Sequence, residues 1–145
     1  MASRHASRER ALQMLFLWDQ TRDSPEQVIA GYWGGLLSEE LAPRLPPDQF
    51  ANQLLSGAVG RVGEADPLIT AHAEHWRLDR MSAVDRNILR LAVYELLERE
   101  TPAPVVIDEA LEIARRFSGE ESVQFINGVL DAVRKGMETP AASRG

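Results

Sequence analysis

Apolar residues recur at helical spacing along almost the whole chain, and this periodicity limits the possible folds more than any other feature. In and just after the segment ESVQFINGVLD (121–131), Ile126, Val129, Leu130 and Val133 follow one another at i, i+3, i+4 and i+7. Such spacing places them on one face of a helix. Sustained alternation of β-branched residues is absent, and no Asn-Gly pair joins two such runs. The sequence therefore predicts an all-α fold of six to seven helices.

Residues typical of helix caps predict where several helices begin. Ser24 before Pro25 has the N-cap and first-turn proline of a helix start, and Asp66 before Pro67 predicts a second start by the same logic. Ser82 is the predicted N-cap of the strongest helical segment, MSAVDRNILRLAVYELLERE. The remaining helices are predicted from about residue 7 to 20, around 50–62, from about 104 to 117, and over the segment 121–131.

The same signals suggest how the chain is organised. A proline-rich connector at 41–49 and the Asp66-Pro67 pair bracket a predicted division into two helical halves, about 1–65 and 66–137. The two halves together are expected to form one domain over residues 1–145, because a chain of this length can bury a core. Residues 138–145 are expected to be a disordered tail.

Composition excludes several classes of site and location. The chain has no cysteine, so a disulfide framework, a thiolate zinc site and a cysteine nucleophile are excluded. The N-terminal sequence MASRHASRER lacks the apolar segment of a secretory signal, and no apolar run approaches a membrane span. These observations favour a cytoplasmic protein. The net charge of −6 argues against a wholly basic nucleic-acid binder, although a local basic patch can still bind phosphates.

Patterns that would indicate catalysis or a bound metal are weak or missing. The sequence contains no GxSxG, HExxH or kinase-like set of motifs, so neither an enzymatic activity nor a cofactor is predicted. His72 and His75 have a spacing that can hold a metal, but no third ligand is identifiable. A solvated helix face is the favoured interpretation of this pair, and no metal site is predicted.

The N-terminal segment is a candidate for phosphate binding. Arg4, His5, Arg8 and Arg10 fall within one short stretch whose only acid is Glu9. Such a run can displace counterions from a nucleic acid and act as a mobile arm. A solvated helix start explains the same residues equally well, although arginine near a helix N-terminus is unfavourable to the helix dipole.

Two phenylalanines near the C-terminus have different predicted roles. Phe117 continues the apolar stripe of its helix, which favours a position in the core. Phe125 lies beside the stripe of the last helix and has mixed neighbours, while Arg115 and Arg116 are close in sequence. An aromatic ring flanked by basic residues can stack on a single-stranded base, so Phe125 is a candidate for RNA binding.

At this point the residues resemble a known family. The segments ASRERALQMLFLWD, SAVDRNILRLAVYELL and PVVIDEALEIARRFSGEESVQFINGVLD are similar, in this order, to the NusB family of bacterial transcription antitermination factors. The resemblance implies an all-α fold of two small helical bundles packed across each other. It implies binding to boxA RNA together with NusE, a small-subunit ribosomal protein, and through that pair to other Nus factors and RNA polymerase. It implies suppression of premature termination, notably in ribosomal RNA operons, and no catalysis.

The family's motifs also imply site residues at matching positions. The expected RNA contacts are Arg4, His5, Arg8, Phe117, Glu121, Ser122 and Phe125. Asp85 and Arg86 are the expected contacts to NusE. An acid among the RNA contacts suits base recognition, because a carboxylate near a helix N-terminus is stabilised by the dipole and can accept hydrogen bonds from base amino groups.

Two departures from the family pattern affect these expectations. The N-terminal basic run is sparser than is usual in the family, which predicts weaker binding to RNA alone. In addition, Asp108 places an acid where the family often has an asparagine. The alternative hypothesis is a helical protein–protein interaction module that binds no RNA.

Overall fold

The computed structural model describes residues 3–36, 47–73 and 77–138, and these residues form helices and connecting loops with no strand. The α-helices are α1 (Arg4–Thr21), α2 (Pro25–Leu36), α3 (Gln49–Gly60), α4 (Val62–His72), α5 (Ala83–Glu98), α6 (Ala103–Phe117) and α7 (Glu120–Glu138). A short 3-10 helix, Leu78–Arg80, precedes α5. The predicted all-α class is confirmed. Within the described ranges, no helix is long and apolar enough to cross a membrane.

The chain divides into two compact units, one ending at Gly60 and the other beginning at Arg61. In the first unit, α1 packs against α2 and α3, and α2 also contacts α3. Its buried apolar side chains are Ala11, Leu12, Met14, Leu15, Trp18, Val28, Tyr32, Ala51, Leu54, Leu55 and Ala58. The organisation of residues 1–145 as a single functional domain stays a prediction.

In the second unit, α5 packs against α4, α6 and α7, and α7 in turn also contacts α4 and α6. The stripe predicted for α7 is confirmed, because Ile126, Val129, Leu130 and Val133 are all buried. Burial of such a stripe removes apolar area from water at about 25 cal/mol per Å², and this stabilises a helix whose middle carries an asparagine and a glycine.

The predicted caps of α2 and α5 are confirmed. The backbone N–H of Gln27 donates to the Ser24 hydroxyl at 3.2 Å, and the Gln27 side chain accepts from the Ser24 backbone N–H at 3.1 Å, which is a reciprocal capping box. Ser82 accepts from the backbone N–H of Asp85 at 3.1 Å and caps α5.

The predicted start of a helix at Asp66-Pro67 is wrong. The helix α4 begins at Val62 and contains Pro67, because the carbonyl of Arg61 already accepts the backbone N–H groups of Glu64 and Ala65, both at 3.0 Å. A proline further along such a helix forfeits one hydrogen bond without preventing the first turn.

Asp66 has a tertiary role in place of the predicted cap. Its two carboxylate oxygens accept from Arg90 of α5 at 2.9 and 3.0 Å, and the Arg90 side chain is only 3% exposed. Arg90 also donates to the fully buried Asn87 at 3.0 Å. This paired, hydrogen-bonded cation joins α4 to α5, since a buried charge is tolerated when its partners are in place.

Three expectations fall outside the described residues. Most of the proline-rich connector, His75 of the histidine pair, and the predicted tail beyond residue 138 are in these parts of the chain.

Candidate nucleic-acid interface

A cavity of about 310 Å³ lies where the start of α7 meets the start of α5. It is lined by Arg80, Met81, Ser82, Asp85, Glu121, Ser122 and Phe125. Three of the residues that were predicted to contact RNA, Glu121, Ser122 and Phe125, therefore lie together. The cavity combines an aromatic ring, carboxylates, hydroxyls and one guanidinium, which is the chemistry that stacks on and hydrogen-bonds to an unstacked base.

The position of these side chains follows from the orientation of α7 about its own axis, which is fixed by the burial of its apolar stripe. The helix begins at Glu120, and its first carbonyl partner is Gly119, which accepts from the backbone N–H of Val123 at 3.0 Å. Because Val123 and Ile126 are buried, the neighbouring positions turn toward the surface: Glu121 is exposed, and Phe125 is partly exposed. The same periodicity that buries the stripe thus presents the candidate contacts.

One wall of the cavity is organised by hydrogen bonds to Asp85. The Ser122 hydroxyl lies 2.9 Å from Asp85 Oδ2, and the Ser118 hydroxyl lies 3.0 Å from Asp85 Oδ1. The two hydroxyl oxygens are also 2.7 Å from each other. This triangle joins the first turn of α5 to the junction of α6 and α7 and holds Ser122 in one orientation.

The predicted core position of Phe117 is wrong. The side chain is 43% exposed, and the Arg116 guanidinium lies 5.2 Å from its ring centroid. Periodicity fails here because Phe117 is the last residue of α6, whereas Val106, Ala110 and Ile113 of the same stripe lie inside the helix and are buried. An exposed aromatic ring beside a cation is compatible with the RNA contact implied by the family resemblance, which stays a prediction.

The N-terminal basic residues belong to a helix, contrary to the expected mobile arm. Ser3 caps α1 by accepting from the backbone N–H of Ala6 at 3.0 Å, so the helix begins at Arg4 and not near Ser7. His5 Nε2 lies 3.3 Å from the carboxylate of Glu9, one turn further along. The cations are therefore displayed at fixed positions on a helix.

Arg4 and Arg8 both lie over one aromatic ring of α3. The Arg4 guanidinium is 3.7 Å from the centroid of Phe50 and that of Arg8 is 5.9 Å away. Arg4 is exposed, whereas Arg8 is only 5% exposed. Arg4 is thus the member of the pair whose charge is presented to solvent.

Asp48 connects the same part of α1 to α3. Its carboxylate accepts from Ser7 at 2.6 Å and from Arg10 at 2.9 Å, and it caps α3 by accepting from the backbone N–H of Ala51 at 3.0 Å. Burial alone would raise the pKa of Asp48, but these hydrogen bonds and the charge of Arg10 outweigh burial and lower it.

Three further residues at these sites, Asp48, Phe50 and Arg80, were not predicted from the sequence. Asp48 carried an available signal, since an acid just before a helical stripe is a typical N-cap. Phe50 was assigned only to a helix stripe, and its contact with Arg4 depends on how α1 and α3 pack. Arg80 lines the cavity from the 3-10 helix, an element that periodicity did not predict.

The two residues expected to contact NusE have partners within the chain. Asp85 accepts from Ser118 and Ser122, and Arg86 Nη1 donates to the backbone carbonyls of Leu78 and Met81 at 3.2 and 2.9 Å. Arg86 therefore fixes the loop that lines the cavity. Both residues stay predictions as partner contacts.

In the described ranges, no group of three or more histidine, aspartate or glutamate side chains is arranged to hold a metal ion. The groups that converge at the cavity are suited to binding through hydrogen bonds and stacking.

Comparisons with known proteins place these features in a family context. A family model described as the NusB family matches residues 5–135. Transcription antitermination protein NusB of Solibacter usitatus (strain Ellin6076) is 58% identical over 142 residues, covering 98% of this chain and 95% of the relative. The protein with the same description from Koribacter versatilis (strain Ellin345) is 51% identical over 137 residues, covering 94% of this chain and 91% of the relative.

Solved structures of similar proteins have the same fold. A structure of T. maritima NusB is 35% identical, with a TM-score of 0.74 and coverage of 92% of each chain. A crystal structure described as antitermination factors NusB and NusE in complex with dsRNA is 27% identical, with a TM-score of 0.75, covering 92% of this chain and 96% of that chain.

Proposed function

This chain belongs to the NusB family, and on that premise we propose that it is a transcription antitermination factor that binds boxA-type RNA together with NusE. Through this complex it joins other Nus factors on RNA polymerase and helps the polymerase to read through terminators, notably in ribosomal RNA operons. It acts in the cytoplasm, where bacterial RNA is transcribed. It works by binding and has no enzymatic activity.

The observation that carries the RNA-binding part is the cavity at the start of α7. Single-stranded RNA is recognised where unstacked bases can lie against aromatic side chains and form hydrogen bonds along their edges. Phe125 supplies the ring, and Glu121 and Ser122 supply polar groups within the same cavity. The similarity to a NusB protein solved with NusE and dsRNA supports RNA as the ligand and NusE as the partner, whereas the recognition of an unstacked base is argued from the cavity alone.

The phosphate contacts come from cations displayed on helices. We assign this role first to Arg4, because it is exposed and held over Phe50, and then to His5 and Arg8. Arg8 contributes to solvent-facing charge less than Arg4, since only 5% of it is exposed. Phe117, exposed beside Arg116, provides a second aromatic contact in the second unit.

The NusE contact is proposed at the start of α5, around Asp85 and Arg86. The hydrogen bonds of both residues within the chain give this region a fixed shape before a partner arrives. A preformed surface lowers the entropy cost of association.

A titration of labelled boxA-type RNA, followed by fluorescence anisotropy at a stated salt concentration, tests the function. The expected result is weak binding by the protein alone and tighter binding with equimolar NusE, because the sparse basic run neutralises few phosphates by itself. A scrambled RNA of the same composition is the control and should gain little from NusE. Absence of RNA binding even with NusE would refute the function and favour a protein–protein module.

A further inference from the structure

We propose that Asp85 sets the base preference of the cavity at the start of α7, and that the preferred occupant is a nucleobase with an exocyclic amino group, cytosine over uracil. Asp85 does this by engaging the protons of the neighbouring hydroxyls, so that the wall formed with Ser122 and Glu121 presents hydrogen-bond acceptors. The inference rests on the RNA-binding function proposed above and specifies its ligand.

The triangle of Asp85, Ser118 and Ser122 has more contacts than protons. Three oxygen–oxygen contacts of 2.7 to 3.0 Å are present, but only the two hydroxyls carry protons. These two protons can fill only two of the three contacts. If Ser122 turned its proton toward a ligand, a second contact would lack a hydrogen, because the Ser122 oxygen would face Asp85 Oδ2 at 2.9 Å without one. Both protons are therefore retained within the triangle, and Ser122 offers only lone pairs to the cavity.

The other polar groups that line the cavity are one further acceptor and two donors. Glu121 contributes carboxylate oxygens, which are hydrogen-bond acceptors, on the same turn of α7 as Ser122. Arg80 is a donor. The Ser82 oxygen accepts from the Asp85 backbone N–H, and its hydroxyl proton can still be donated to a ligand. These two donors suit the ring carbonyl that cytosine and uracil share, so they do not separate the two bases.

The choice between cytosine and uracil therefore depends on the acceptors of Glu121 and Ser122. Cytosine carries an amino group with two N–H donors at the position where uracil carries a carbonyl oxygen. The amino group can donate to Glu121 and Ser122, whereas the uracil oxygen would face acceptors and be repelled. The difference of about one net hydrogen bond, on the order of 1–1.5 kcal/mol, corresponds to about a tenfold preference.

The experiment compares oligocytidylate with oligouridylate, each of about twelve nucleotides, a length within the usual range of single-strand sites. Anisotropy titrations of the wild-type chain at a fixed salt concentration should give about tenfold tighter binding of the cytidine oligomer. In NMR spectra recorded along the same titration, the ring signals of Phe125 should change position. Equal affinities for the two oligomers, or unchanged Phe125 signals, would overturn the inference.

The decisive variant is Asp85→Asn, which keeps the shape and reverses the polarity of one atom. The new amide can donate to the Ser122 oxygen, so the Ser122 proton becomes available to a ligand carbonyl. The cytidine-to-uridine affinity ratio should fall toward one, with a gain in uridine binding. Asp108→Asn, which removes the same charge from an exposed position on α6, is the matched control and should leave the ratio unchanged.

A second variant keeps the test valid if Asp85→Asn destabilises the fold, which circular dichroism would reveal. Ser122→Ala removes one acceptor of the wall together with its hydrogen bond to Asp85 Oδ2, so it should lower the ratio mainly by weakening cytidine binding. An unchanged ratio in either folded variant would overturn the inference while leaving RNA binding intact. Failure of every RNA to bind, with and without NusE, would overturn the proposed function as well.

Discussion

Individual side chains separate the folding role of α7 from its binding role. Ile126 is fully buried, whereas Phe125, its neighbour in sequence, is partly exposed and lines the cavity. The backbone of one helix therefore holds both a core residue and a candidate base contact. Their substitutions should have different consequences for stability and for binding.

At this scale we predict that Phe125→Ala weakens RNA binding by about 1–3 kcal/mol, the usual value of stacking one base on an aromatic ring. Its effect on the free energy of unfolding should stay well below the ~3–5 kcal/mol typical of a buried phenylalanine. Anisotropy titrations and urea denaturation measure the two effects. Ile126→Ala is the control and should lower the free energy of unfolding more than Phe125→Ala does. Parallel losses of binding and stability in Phe125→Ala would identify Phe125 as a core residue.

Pairs of helices are joined by a few polar contacts placed at their ends. Asp48 caps α3 and at the same time accepts hydrogen bonds from Ser7 and Arg10 of α1. Its side chain is 8% exposed, so these bonds are little screened by water. They hold α3 in the register that places Phe50 beside Arg4.

At the scale of elements we predict that Asp48→Asn lowers the free energy of unfolding at pH 7 by about 1–3 kcal/mol, because a buried, hydrogen-bonded charge is lost. The pKa of Asp48 is lowered in the folded state, so its contribution is present above the ordinary aspartate value of about 3.9 and disappears as pH falls through the lower folded value. Urea denaturation should therefore show a higher free energy of unfolding for the wild type than for the variant at pH 7, and this difference should disappear below about pH 4.

The exposed Asp23, changed to Asn, is the control for this prediction and should show no comparable difference. A wild type and an Asp48→Asn variant of equal stability at pH 7 would contradict the assigned role of Asp48.

The molecule as a whole carries a net charge of −6, so RNA binding requires cations gathered locally and exposed to solvent. The structure distinguishes these cations from others of the same type. Arg4 is exposed, while Arg8 and Arg90 are 5% and 2% exposed. Net charge therefore says little about this protein's affinity for RNA, because screening limits each charge to its neighbourhood.

At the scale of the whole molecule we predict that Arg4→Ala weakens binding to all RNA sequences alike and makes the slope of log K against log salt shallower by about 1, as expected for one lost phosphate contact. Lys135→Ala is the control. It also removes one positive charge, but from the C-terminal end of α7, away from the cavity at the start of that helix. At 1.5 Å per residue, Lys135 lies roughly 21 Å from Glu121 along the helix, beyond two Debye lengths of about 8 Å. An equal change of slope in both variants would argue against a localised contact.

The sequence alone determined the helical class and most helix boundaries, since caps and apolar stripes are local. Ser24, Ser82 and the stripe of α7 act within one or two turns, and each was predicted correctly. Errors arose at helix ends and where a residue's partner lies elsewhere in the chain. Asp66 has the form of a cap but pairs with Arg90, and Phe117 has the periodicity of a core residue but lies at a helix end.

The candidate site was decided by tertiary structure. Family resemblance suggested Glu121, Ser122 and Phe125 as RNA contacts and Asp85 as a NusE contact, and it did not place Asp85 beside Ser122. Packing of α7 on α5 brings Ser122 to Asp85 although they are 37 positions apart. The physical reason is that helix formation depends on neighbours a few residues away, whereas the direction in which a hydroxyl donates its proton depends on the side chain that packing places against it.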